Sequence, residues 1–140
     1  MKTICTGILL LFGLMSYSQS ELTSEEPVYK LLVNAERGRS LKSSEMLLLL
    51  QSYDNSVLKN NVEFSEWRSE IIISILNHPK NLKKLLHCLN KNMDKLQYVL
   101  DELSSPVNEL NVENCVNQIK KIKGSEYIKE EFVKAVLKSS

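Results

Sequence analysis

Apolar residues recur at intervals of three and four along most of the chain, the spacing of one face of a helix. Val28, Leu31, Leu32 and Ala35 mark a first short helix, with Glu25 and Glu26 suited to the positive end of its dipole and Gly38 placed to stop it. Ser43 or Ser44 then caps SEMLLLLQSY. Four consecutive leucines leave that second helix no polar side, which predicts a central, buried position. SVLKNN reads as a polar turn, and the stripe Phe64, Trp67, Ile71, Ile72, Ile75 and Leu76 predicts a third helix with Trp67 and Ile71 in the core. Pro79 suits a first helical position, where its missing N–H has no helical partner to lose.

The longest signal follows. Leu82, Leu86, Leu89, Met93, Leu96, Leu100 and Leu103 alternate spacings of four and three without losing phase. That regularity predicts one helix over 79–104. Asn92 followed by Asp94 is also a good helix start, and a split there is the alternative. SPVNEL is a connector with one helical turn at most. Val112, Cys115, Val116, Ile119 and Ile122 form a further stripe ended by Gly124. Ser125 caps a last helix carrying Ile128, Phe132, Val133, Val136 and Leu137. Alternating runs of β-branched and aromatic residues are missing. The expected fold is all-α: a single compact irregular bundle of six or seven helices. Helix starts every fourteen to nineteen residues admit stacked helical hairpins as the alternative, although no residue-level repeat matches across them.

The first residues depart from this pattern. Lys2 precedes an apolar run from Ile4 to about Met15, and a polar stretch with small residues follows. This is the layout of a secretory signal peptide, and the run is too short to span a bilayer. Ser16 and Ser18 place the cut before Gln19, so residues 1–18 are read as signal and 19–140 as one helical domain, secreted or periplasmic. Removing residues 1–18 takes one lysine and no acid, leaving 122 residues with 17 basic against 17 acidic side chains. A net charge of zero argues against bulk electrostatic binding to nucleic acid or anionic membranes. No later run is apolar enough for a membrane span.

Candidate chemistry is sparse. Cys88 and Cys115 fall on apolar flanks of different helices, and in an exported chain such a pair reads as a disulfide. His87 adjoins Cys88, but neighbours on a helix point about 100° apart and are poorly placed to share a metal, so no metal site is expected. With Gly38 and Gly124 alone beyond residue 18, no glycine-rich loop is available to cradle a phosphate. The acid pairs Glu66 with Glu70, Asp101 with Glu102, and Glu109 with Glu113 sit on polar faces and read as solvated. No nucleophile has a base at a useful spacing. The chain is expected to be non-enzymatic and without cofactor.

On an unbroken helix over 79–104, Lys80, Lys84, His87, Lys91 and Lys95 fall in one stripe with Tyr98 in line. That stripe is the candidate surface for a protein partner bearing acidic groups, with the acidic segment 101–113 as the fallback. An inhibitor or immunity-type protein and a secreted ligand both fit this reading. A carrier of a small hydrophobic molecule, held among Met46, Phe64, Trp67 and Phe132, is the alternative. Oligomeric state is not legible.

Overall fold

The computed structural model describes residues 26–140. The expected signal segment and cleavage site lie outside the described residues. Within them the chain forms eight α-helices and no strand. These are α1 (Glu26–Glu36), α2 (Ser43–Gln51), α3 (Ser56–Lys59), α4 (Val62–Leu76), α5 (Pro79–Lys91), α6 (Leu96–Ser104), α7 (Val112–Lys121) and α8 (Glu126–Lys138). Two 3-10 turns, Ser52–Asp54 and Met93–Lys95, follow α2 and α5.

Local chemistry sets most boundaries. Asn55, Asn61, His78, Asn111 and Ser125 each precede a helix and accept a backbone N–H of its first turn through the side chain. Each bond satisfies one of the amides that a helix start leaves without a partner. Neither Ser43 nor Ser44 caps α2. Its cap is Lys42, whose backbone N–H donates to Glu45 Oε2 at 2.6 Å, half of a capping box. Gly38 ends α1 at φ +63°, a left-handed conformation that any Cβ would penalise, and its N–H reaches Ala35 O at 2.9 Å.

The principal packing partners are α1 with α4, α2 with α5, α4 with α5 and α6, and α8 with α5, α6 and α7. Pairings such as α1–α4 and α5–α8 join helices that are not neighbours in sequence. One continuous core results, with Phe64, Ile71, Ile75, Leu82, Leu85, Leu89, Val99, Ile119, Ile128 and Phe132 inaccessible to solvent or nearly so.

Among the described residues eight helices replace the six or seven expected, and five further expectations change. The helix over 79–104 is broken at Asn92, which leaves helical backbone at φ −133°, ψ 57°. Its Nδ2 donates to Cys88 O at 2.8 Å, satisfying a carbonyl at the end of α5, and the 3-10 turn then restarts the chain toward α6. The heptad survives because the leucines on both sides are buried, whereas Met93 at the junction is 44% exposed. SVLKNN is not simply a turn: Asn55 caps the four-residue α3, which buries Leu58. The leucine block is not buried all round. Met46, Leu49 and Leu50 face the core and Leu47 is exposed, so α2 is peripheral. Trp67 is only partly buried; its ring lies at the core's edge against Tyr29 (5.4 Å) and Phe64 (6.1 Å). Finally, Cys88 and Cys115 are free thiols, both buried. The two sit on α5 and α7, which are not principal packing partners, and both are buried members of the common core. Burial pushes both thiols above their ordinary range, so they remain protonated at neutral pH and poor nucleophiles.

Candidate basic recess on α5

The amphipathic pattern of α5 divides it cleanly. Leu82, Leu85, Leu86 and Leu89 face the core; Lys80, Lys83, His87, Asn90 and Lys91 face outward. Adjacent His87 and Cys88 therefore fall on different faces of the helix, one exposed and one buried.

Two loops dock on this outer face and turn it into a recess. The first, residues 37–42, is held by fully buried Asn81. Its Oδ1 accepts Leu41 N–H at 2.8 Å and its Nδ2 donates to Arg39 O at 2.8 Å. Lys84 adds a second tie, donating to Leu41 O at 2.5 Å and to Ser40 Oγ at 3.1 Å. The second loop runs from α7 into α8. A Cβ on Gly124 would meet Leu86 Cδ1 at 3.2 Å, so the missing side chain lets the loop lie close on α5.

Between them is a recess of about 600 Å3, the largest of the recesses described here. Leu86 and Gly124 line it, with Lys80, Lys83, Lys84, His87 and Lys123 around them. Ser40, Ser43, Asn90 and Ser125 supply hydroxyl and amide groups. Ser43 opens α2 and Ser125 caps α8, so the positive ends of two helix dipoles add to the lysine field. Among the described residues no acidic side chain lines the recess. In a chain of near-neutral total charge, this is a concentrated positive potential over a polar, partly apolar hollow.

The predicted stripe is thus half assembled. Lys80, Lys84 and His87 come together; Lys91 is exposed on α5 but does not line the recess. Lys95 and Tyr98 leave the line because the break at Asn92 redirects the chain. Lys95 is bound to Asp54 (2.5 Å) and Asp94 (2.8 Å), and the hydrogen bonds it donates to those carboxylates push its ammonium up to about 12. Tyr98 stacks on Tyr53, ring centroids 5.1 Å apart and planes within 9°. Lys84 is also less free than a surface lysine, since it holds the loop. Sequence reasoning missed Lys83, Lys123 and the serines. Lys83 was legible as a neighbour on the polar face, but the Lys123 loop is brought to α5 only by tertiary packing at Gly124.

Among the described residues no group of three or more His, Cys, Asp or Glu side chains is disposed to hold a metal, and no helix is long and apolar enough to cross a membrane. The residues named for a carrier cavity, Met46, Phe64 and Phe132, pack in the continuous core, with Trp67 at its edge. No protein-family model matches the chain, and comparison with curated proteins and with solved structures finds no match.

Proposed function

We propose that this chain is an exported, non-enzymatic binding protein whose basic recess takes an acidic segment of a protein partner. The observation that supports this reading is the convergence of Lys80, Lys83, Lys84, His87 and Lys123 on one hollow with no acid among the described residues that line it. Lysines spread over a solvated face have no reason to gather at a concavity. Gathered there, they steer an acidic partner at long range and discriminate against basic ones. The adjoining serines and Asn90 supply directional hydrogen bonds once it arrives. Complementarity of this kind raises association rate more than final affinity.

The test uses an oligoglutamate peptide as the acidic probe and amide chemical shifts as the readout. Shifts are expected around Lys80, Lys83, His87 and Lys123, weakening as salt is raised, because exposed charges are screened within about 8–10 Å. Lys80→Glu with Lys83→Glu and Lys123→Glu should abolish them. Folding should barely change, since such exposed substitutions are usually within about 0.5 kcal/mol. Lys84 is left intact because it ties the loop. Peptide shifts that persist in the triple variant, or that map elsewhere in the wild type, overturn the assignment.

A further inference from the structure

A second recess, of about 350 Å3, has buried polar groups in its wall that the fold itself leaves unsatisfied. Arg68 of α4 is only 5% exposed. Its guanidinium carbon lies 4.7 Å over the ring of Tyr53 and 5.3 Å over that of Phe64, so aromatic faces hold the cation in place. Among the described residues its one ion pair runs from Nε to Glu102 Oε1 of α6 at 3.6 Å, beyond hydrogen-bond range. Nη1 and the buried Tyr53 hydroxyl have no hydrogen-bond partner among the described residues, and Nε has only the long contact to Glu102. Orphaned polar atoms at such depth are rare in folded proteins. A purely structural ion pair would be expected to close to hydrogen-bonding distance, since a buried cation with unmet donors is costly.

The rest of the lining indicates what would satisfy them. Lys59, Ser65, Tyr98, Asp101, Glu102 and Ser105 complete the recess. The cations Lys59 and Arg68 are balanced by the carboxylates of Asp101 and Glu102. An anion alone would meet Arg68 at the expense of repulsion from both acids. A cation alone would leave Arg68 and Tyr53 unsatisfied. A molecule with both charges side by side fits both sets of groups. Tyr98 is partly buried, with the Lys59 ammonium 5.9 Å over its ring, and offers an aromatic surface to the remainder of such a molecule. Lys59 is exposed and takes part in no ion pair among the described residues, so its side chain is free to move at the rim of the recess.

We propose that this recess binds a small zwitterion of the α-amino acid class, its carboxylate taken by Arg68 and Tyr53 and its ammonium by Asp101 and Glu102. The site is distinct from the basic recess on α5 and does not depend on the function assigned there. The probe is L-phenylalanine, followed through the Nε–H resonance of Arg68 and the backbone amides of Tyr53, Arg68, Tyr98 and Glu102 in the full folded protein. Saturable shifts at these groups are expected. 3-Phenylpropionate, which lacks the ammonium, and L-phenylalaninamide, which lacks the carboxylate, should each bind at least about tenfold more weakly, the cost of one lost charged hydrogen bond. Asp101→Asn, at an exposed position, should weaken phenylalanine binding and leave 3-phenylpropionate unaffected or tighter. Arg68→Lys should abolish phenylalanine binding; if it fails to fold, the Asp101 variant decides. The proposal is overturned by absence of saturable shifts with phenylalanine, which would make Arg68 and Glu102 a structural pair only. Equal binding of all three compounds, or 3-phenylpropionate binding as tightly as phenylalanine, overturns it as well.

Discussion

Two aromatic residues three positions apart on α4 test how finely burial controls stability. Phe64 is inaccessible and Trp67 is at the rim, although both lie on the same predicted stripe. Phe64→Ala should cost about 3–5 kcal/mol, and Trp67→Ala should cost clearly less, because a rim side chain leaves no closed cavity. Urea midpoints for the two variants check this, and a Trp67 cost equal to that of Phe64 would place the indole in the core. Glu102 gives a second residue-scale test. Burial is the largest influence on its carboxyl and raises it above the ordinary 4.5; the nearby Arg68 guanidinium lowers it, less strongly, and Asp101 adds to the rise. A carboxyl raised in the folded state contributes stability below its unfolded pKa and loses that contribution as pH climbs through the folded value. The stability difference between wild type and Glu102→Gln should therefore shift against the wild type as pH rises from about 4.5. Urea unfolding across pH measures it, and a flat or opposite trend would mean that Arg68 dominates after all.

At the scale of elements, the break between α5 and α6 rests on one side chain. Asn92→Ala removes the Nδ2 bond to Cys88 O and should cost about 1 kcal/mol, with faster amide exchange over residues 92–95. Protection unchanged from wild type there would show that the turn holds itself. This junction also shows where sequence reading succeeds and where it stops. Helix existence and buried faces were legible because the three–four spacing of Leu82, Leu86, Leu89, Leu96, Leu100 and Leu103 reports the core directly. The same spacing was silent about the break, since a short 3-10 turn can return the chain to the same face. Asn92 carried the competing signal as a helix start, but its side chain acts backward on the end of α5 and makes no cap bond to the turn that follows. The basic recess was half legible for a related reason. Residues on α5 share a face by periodicity, whereas Lys123 and Ser40 arrive on loops placed by Gly124 and Asn81, at sequence distances that no periodicity spans. Glu102 looked solvated beside Asp101 because a helix pattern shows the polar face but not a neighbour laid across its edge.

For the molecule as a whole, the core rather than a covalent staple holds the bundle. Both thiols should resist alkylation in the native protein and react on unfolding, and a reductant should leave the melting temperature unchanged. A downward shift on reduction would restore the disulfide. Cys88→Ser and Cys115→Ser should each cost about 1–3 kcal/mol, since each puts a hydroxyl among apolar side chains. If the chain is exported as proposed, its intact mass should correspond to a start at Gln19, and a retained Met1 would remove that reading. The free thiols then have a bearing on biogenesis. In a secreted protein stabilised by a disulfide, the reducing interior of the cell delays folding until the chain has left. Here nothing in the fold waits for oxidation, so the helical domain is able to close as soon as it is synthesised. If the chain is exported, a translocation route that threads unfolded chains must therefore outrun that closure, by moving the chain during synthesis or by a chaperone that keeps α4 and α5 apart.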